Sequence, residues 1–247
     1  MPARFEVDHP HPVRSSLGFT DPRTRDGELL NPLLMPEDRL NQLIIDMGGS
    51  YGAAGQMQQR PSPREGGMFK RKWWQYCSVS DVPADARRCR GWDFAGSVTS
   101  NADYSASSKV GIAEGKVYLE HMERFKATPG EVEQRFVQRA EADGYDVEIS
   151  IPQDPGQAGK YQAEHMLALV HGYVASASPE SGSKEQRAKA LAGQAEAGNV
   201  ILVRGDWNDP YVEESSMFPT GANDDLVDST SRAYHQAADY GPRAGVW

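Results

Sequence analysis

Apolar and polar positions alternate in two different styles along this chain. In "MPEDRLNQLIIDMG", Leu40, Leu43, Ile44 and Met47 recur at helical spacing behind Pro36 and the acids that follow it. This predicts a helix near 36–48, stopped by Gly48 and Gly49. "AAGQMQQRPSPREGG" predicts a second short helix that runs into a linker. Residues 1–80 are otherwise rich in Pro and Gly, with too few apolar positions to fold alone. They read as the tail of something larger, or as an arm lying on the rest.

From residue 88 onward the pattern becomes regular. "CRGWDFAGS", "NADYSASSKVGIAEG" and "KVYLEHMERF" predict three strands, the last two joined by a hairpin turn at Glu114-Gly115. "TPGEVEQRFVQRAEADG" predicts a helix with Thr128 as N-cap, Pro129 at its first position and Gly144 at its close. A strand in "DVEISIPQD", a helix in "QAGKYQAEHMLALVHG" and a strand near "GYVASAS" follow. The helix "SKEQRAKALAGQAEAG", the strand "NVILVRG" and a last helix from Asn223 to about Ala238 complete the series. Short connections make the first three strands antiparallel, and the later strands alternate with helices as parallel crossovers do. The expected fold is an α/β mixed sheet, three antiparallel strands and then parallel ones, with helices on both faces. Two units are expected, 1–80 and 81–247.

Composition narrows the class. The 247 residues carry 38% apolar side chains and a formal charge of −9, which argues against indiscriminate coating of nucleic acid. No apolar run reaches the ~18–20 residues of a membrane span, and the N-terminus lacks a signal pattern. A soluble, unexported chain with no membrane partner is expected. Cys77 and Cys89 have neither CxxC spacing nor a nearby His pair, so a zinc site is not expected. Residues 64–90 hold seven basic residues against three acidic ones and include Trp73, Trp74 and Tyr76. Such a mixture suits a nucleic-acid strand, with Lys70 and Lys72 as candidate contacts; it equally suits a tether whose tryptophans pack on a neighbour.

The chemistry lies in the acids. "NDDLVDSTS" puts Asp224, Asp225 and Asp228 in the first turn of the last helix. They could cap amides and favour the helix dipole, or they could converge with other carboxylates on a cation. Asp93 is expected in the middle of the first strand and Asp154 at the end of the fourth. If those strands are neighbours, the last helix brings Asp225 and Asp228 over the same point. The result would be four acids with no basic residue among them. Oxygen-only ligands of this kind suit Mg²⁺ or Mn²⁺, and two such ions can drive phosphodiester hydrolysis.

The arrangement resembles the ribonuclease H-like nuclease fold. "GQMQQRPSPREGGMFKRKWW", "GWDFAGS...NADYSA", "IPQDPGQAGK" and "FPTGANDDLVDSTSRAY" together resemble the large terminase subunit of tailed bacteriophages, over roughly residues 28–240. The resemblance implies an endonuclease that cuts concatemeric double-stranded viral DNA in the host cytoplasm. It also implies an ATPase half of the same polypeptide, a portal protein and a small terminase subunit as partners. By the same resemblance Asp93 would bridge two ions, Asp154 and Asp225 would each hold one, and Asp228 or Asp224 would assist. Asp103 reads as structural, and Lys160, Lys184 and Arg187 as DNA-backbone contacts. The G-x-x-x-x-G-K-[ST] ATPase signature is absent: "DPGQAGKY" has Asp154 and Tyr161 at its key places. Residues 1–75 are therefore expected to be the end of an ATPase half, without ATPase activity. Three other readings are a resolvase or integrase-like nuclease, a phosphate-binding module built on "DPGQAGK", and a degenerate docking domain.

Overall fold

The computed structural model describes residues 1–7, 13–15, 17–47, 53, 55–59, 67–95, 104–221 and 223–239. One seven-stranded sheet organises it, in the order β1-β7-β4-β3-β2-β5-β6. The strands are β1 (Gln75–Cys77), β2 (Arg87–Asp93), β3 (Ser105–Ala113), β4 (Lys116–Phe125), β5 (Val147–Gln153), β6 (Ala175–Pro179) and β7 (Val200–Val203). The β2–β3 and β3–β4 pairs are antiparallel, whereas β2–β5, β5–β6, β4–β7 and β1–β7 are parallel. The sheet is thus mixed as expected, and its first and fourth expected strands are neighbours.

Local chemistry accounts for the boundaries. Glu114 and Gly115 both have positive φ, 50° and 73°, the backbone a tight hairpin needs between β3 and β4. Helix α2 (Pro129–Asp143) opens on a reciprocal Thr128–Glu131 capping box and closes at Gly144, φ 80°. The other helices are α1 (Glu37–Asp46), α3 (Gln157–Leu169), α4 (Lys184–Glu196), α5 (Asn208–Met217) and α6 (Asp225–Ala238).

Two cores sandwich the sheet. One joins Trp92, Phe125, Ile149 and Ile151 to Phe136 and Ala140 of α2 and to Ala163 and Met166 of α3. The other joins Val110, Leu119 and Leu202 to α4, α5 and α6. The alternation of side chains along β2 sends Trp92 to the first core and leaves Gly91 and Asp93 facing α6.

Four details depart from the sequence reading. Asp93 is the last residue of β2, not its middle. Asp154 lies one residue beyond β5. Residues 75–77, read as part of the linker, form the edge strand β1, and Met68, Phe69 and Trp74 just before it are buried in the second core. Helix α5 was not anticipated, because its buried positions include Asn208, Glu214 and Ser215, so no apolar stripe marks it.

Candidate active site

Close packing brings the acids together. A Cβ on Gly91 would strike the carbonyl oxygen of Ser229 and lie 2.6 Å from the amide of Ala233, so α6 crosses β2 at a distance only glycine allows. Small hydroxyl residues complete the seam. Ser108 Oγ lies 2.8 Å from Ser229 Oγ and accepts from Thr230 Oγ1 at 3.0 Å. With the helix seated there, its first turn stands over the end of β2.

The capping explanation for the acids fails on geometry. Asp224 occupies the N-cap position but makes no capping bond. Glu214 of α5 does that work instead: its Oε1 accepts from the amides of Leu226 and Val227 at 2.7 and 3.0 Å. Burial pushes the Glu214 carboxyl up to about 7, against those two amides and an ion pair with Arg124 at 2.6 Å. The local acids are left for other work.

Asp93 is the centre of that arrangement. Burial, then the negative charge of Asp228, pushes its carboxyl up to about 8, with Glu180 and Asp225 adding to the effect. Asp225 and Asp228 are 9% and 5% exposed. Burial raises both carboxyls, and Asp224 adds to the rise at Asp225.

The expectation of an acid cluster free of basic residues is corrected here. Lys184 Nζ lies 2.6 Å from Asp224 Oδ1 and 3.0 Å from Asp228 Oδ2. Arg187 Nη2 lies 3.0 Å from Asp228 Oδ1 and 3.1 Å from Glu180 Oε2. Both oxygens of Asp228 are therefore paired with side-chain cations. Burial opposes the Lys184 charge, yet Asp224 and Asp228 hold its pKa above the usual range. The sequence could not show this, because α4 reaches α6 only through the crossover between β6 and β7.

The remaining candidates divide by position. Asp154 is exposed at the rim, its carbonyl packed against Gly159 in the first turn of α3. Lys160, in that same turn, is exposed and pairs loosely with Glu164 at 3.8 Å. Lys70 and Lys72 precede β1, four strands from β2, which is roughly 19 Å across the sheet. The structure does not bring them to the acids. Asp103 lies outside the described residues. Glu180, directly after β6, was missed; it receives Arg232 at 2.7 Å and acts on Asp93 through space. Its only signal was an acid immediately after a strand, as at Asp154.

Residues 90–237 match a protein family described as the terminase RNaseH-like domain. The chain belongs to that family. Solved structures of terminase nucleases share its fold. The large terminase nuclease from thermophilic phage G20c with bound zinc is 25% identical, with a TM-score of 0.52 over 68% of this chain and 98% of that one. The same phage nuclease with bound magnesium gives 21% identity and a TM-score of 0.52 over 70% and 99%. The manganese-soaked, inhibitor-bound human cytomegalovirus terminase nuclease domain gives 12% and 0.53 over 70% and 96%. No curated protein matches the chain. Among the described residues no helix is long and apolar enough to cross a membrane.

The terminase acids fit a hard divalent cation by chemistry. Asp93, Asp225 and Asp228 offer only oxygen, and burial raises each carboxyl, with Asp228 adding to the rise at Asp93 and Asp224 to that at Asp225. Among the described residues no three ligand side chains meet at one point as they stand. Asp228 would have to exchange its Lys184 and Arg187 partners to take part.

Proposed function

We propose that this chain is the metal-dependent endonuclease of a phage DNA-packaging terminase, hydrolysing phosphodiester bonds of concatemeric double-stranded DNA. One observation carries the reading within the family: half-buried Asp93, at the end of β2, faces Asp225 and Asp228, where burial and then the Asp228 charge hold its carboxyl near 8. A merely structural carboxylate at a strand end would be paired or solvated. Asp93 and Asp225 would hold Mg²⁺ or Mn²⁺, with Asp228, Asp224 and the rim residue Asp154 available to complete the ligand set. Bound there, such ions would supply Lewis acidity for phosphodiester hydrolysis by water.

The protein's own part is positioning and charge. Asp93 is fixed by the β2 ladder and Asp225 by the first turn of α6, so neither depends on a loop. Glu214 holds that turn in place through two amides. Lys184 and Arg187 neutralise Asp224, Asp228 and Glu180, which keeps the pocket from expanding under its own repulsion. The same two cations lie where a strand's phosphates would pass. Portal protein, small terminase subunit and an ATPase half of the same polypeptide are the partners this reading implies.

Plasmid digestion tests it. The chain is incubated with supercoiled plasmid in EDTA, Mg²⁺ or Mn²⁺, beside Asp93→Asn and Asp225→Asn. Nicking and linearisation in metal alone, reduced roughly 10³-fold in both variants, is the expected result. Cleavage by Asp93→Asn at the parent rate would overturn the site.

A further inference from the structure

A second group of residues stands at the same end of the sheet, joined to the acids only through the Arg124–Glu214 ion pair and the charge of Arg124 near Asp225. Asp93 pairs across the ladder with Ala106, and Ala106 pairs in turn with Arg124. Arg124 is thus level with Asp93 and two strands away, roughly 10 Å. Tyr104 immediately precedes β3 and Lys126 immediately follows β4. Both cations lie over the Tyr104 ring: Arg124 Cζ is 4.7 Å and Lys126 Nζ 4.5 Å from its centroid.

The cations around the acids differ in how they are held. Arg124, Lys184, Arg187 and Arg232 each sit against a carboxylate, so much of their charge is spent inside the protein. Lys126 is exposed and is held by a ring face, and among the described residues it makes no ion pair. An aromatic face orients an ammonium without neutralising it, because the attraction is to a quadrupole. Its full charge is then available to an external anion. The phenol oxygen of Tyr104 adds a donor at the same place.

We propose that Tyr104 and Lys126, backed by Arg124, form a subsite for the phosphodiester backbone of duplex DNA on the β4 side of the acid pocket. The proposal rests on the nuclease reading and names the surface along which its substrate runs. Tyr104 sets the position of the Lys126 ammonium, which neutralises one phosphate. Lys184 and Arg187 flank the acids from the other side, so a strand held at Lys126 crosses Asp93 on its way to α4.

Binding to a short fluorescein-labelled duplex, followed by anisotropy in EDTA on the full chain carrying Asp93→Asn, separates the two claims. Each phosphate neutralised contributes about 0.9 to the slope of log K against log salt. Adding Lys126→Ala should lower the slope by about 0.9. Tyr104→Ala should lower it part of the way and Tyr104→Phe much less, because the ring face remains. An unchanged slope in Lys126→Ala, with the parent binding normally, overturns the subsite and leaves the nuclease reading intact. A parent that cuts plasmid without Asp93→Asn and yet shows no salt-dependent duplex binding also overturns the subsite. A parent that neither binds nor cuts overturns both.

Discussion

Two charged side chains sit on the same strand, three residues apart, and they obey opposite rules. Arg90 of β2 is 1% exposed and faces α2, where it pairs with Asp143 at the helix C-terminus and donates to Ser107 Oγ at 3.0 Å. Lys109 adds a second cation to Asp143 at 3.4 Å. Burial pushes the Asp143 carboxyl up, but Arg90 and Lys109 more than reverse it and hold it below the usual range. Asp93 faces α6, and there burial and neighbouring acids act in the same direction, upward to about 8. A charge that serves the fold comes with its counter-charge built in. The charge proposed for chemistry has no such partner built in, and burial and neighbouring acids raise its pKa together.

The sharpest way to break this contrast is to make the satisfied pair resemble the unsatisfied one. Arg90→Ala leaves Asp143 buried with half of its compensation gone, and should cost about 3–5 kcal/mol in urea unfolding. Plasmid cleavage per folded molecule should change little, since the residue faces away from the acids. A loss of cleavage with unchanged stability would contradict the division of labour.

The reverse change relieves the unsatisfied cluster. The folded-state pKa of Asp93 stands near 8, above its ordinary 3.8, so its contribution to stability is fully present below about pH 4 and lost as pH rises through 8. Asp93→Asn removes that loss. Without metal the variant should be more stable than the parent by on the order of 2 kcal/mol at pH 9, and by much less at pH 5. Asp143 carries the opposite slope, present above its ordinary pKa and lost as pH falls, so Asp143→Asn should narrow its deficit in acid. Thermal melts across that range check both signs. Equal shifts of Asp93→Asn at both pH values would show that Asp93 is not charged against its neighbours.

A smaller effect tests the partial compensation inside the acid cluster. Lys184→Met leaves Asp224 without its ammonium and Asp228 with Arg187 alone. Because the Lys184 side chain is 47% exposed, the metal-free cost should be about 1 kcal/mol or less. The melting-temperature gain on adding Mn²⁺ should increase, since the ion then meets less competition. An unchanged gain would mean that Lys184 does not compete for the acids.

Several elements were readable because local rules determine them. The Thr128 cap, the Glu114-Gly115 hairpin and the Gly144 stop of α2 depend on residues within a few positions of one another. Asp93, Asp225 and Asp228 were expected as a group because an acid within a strand needs a reason and because the terminase resemblance ordered them. Polar α5 and the edge strand β1 were not readable. The three residues of β1 are stabilised by pairing with β7 more than a hundred positions later.

What the sequence determined alone was therefore the order of β2 to β7 with all their helices but α5, the mixed sheet and the acids that the chain could bring to one end of it. Tertiary structure decided how those acids are compensated. It assigned the cap of α6 to Glu214, sent Lys184 and Arg187 to Asp228 and added Glu180 to the field around Asp93. The physical reason is range. Hydrogen-bonded turns and side-chain periodicity act between near neighbours in the chain, whereas charge acts between neighbours in space, and packing alone chooses those.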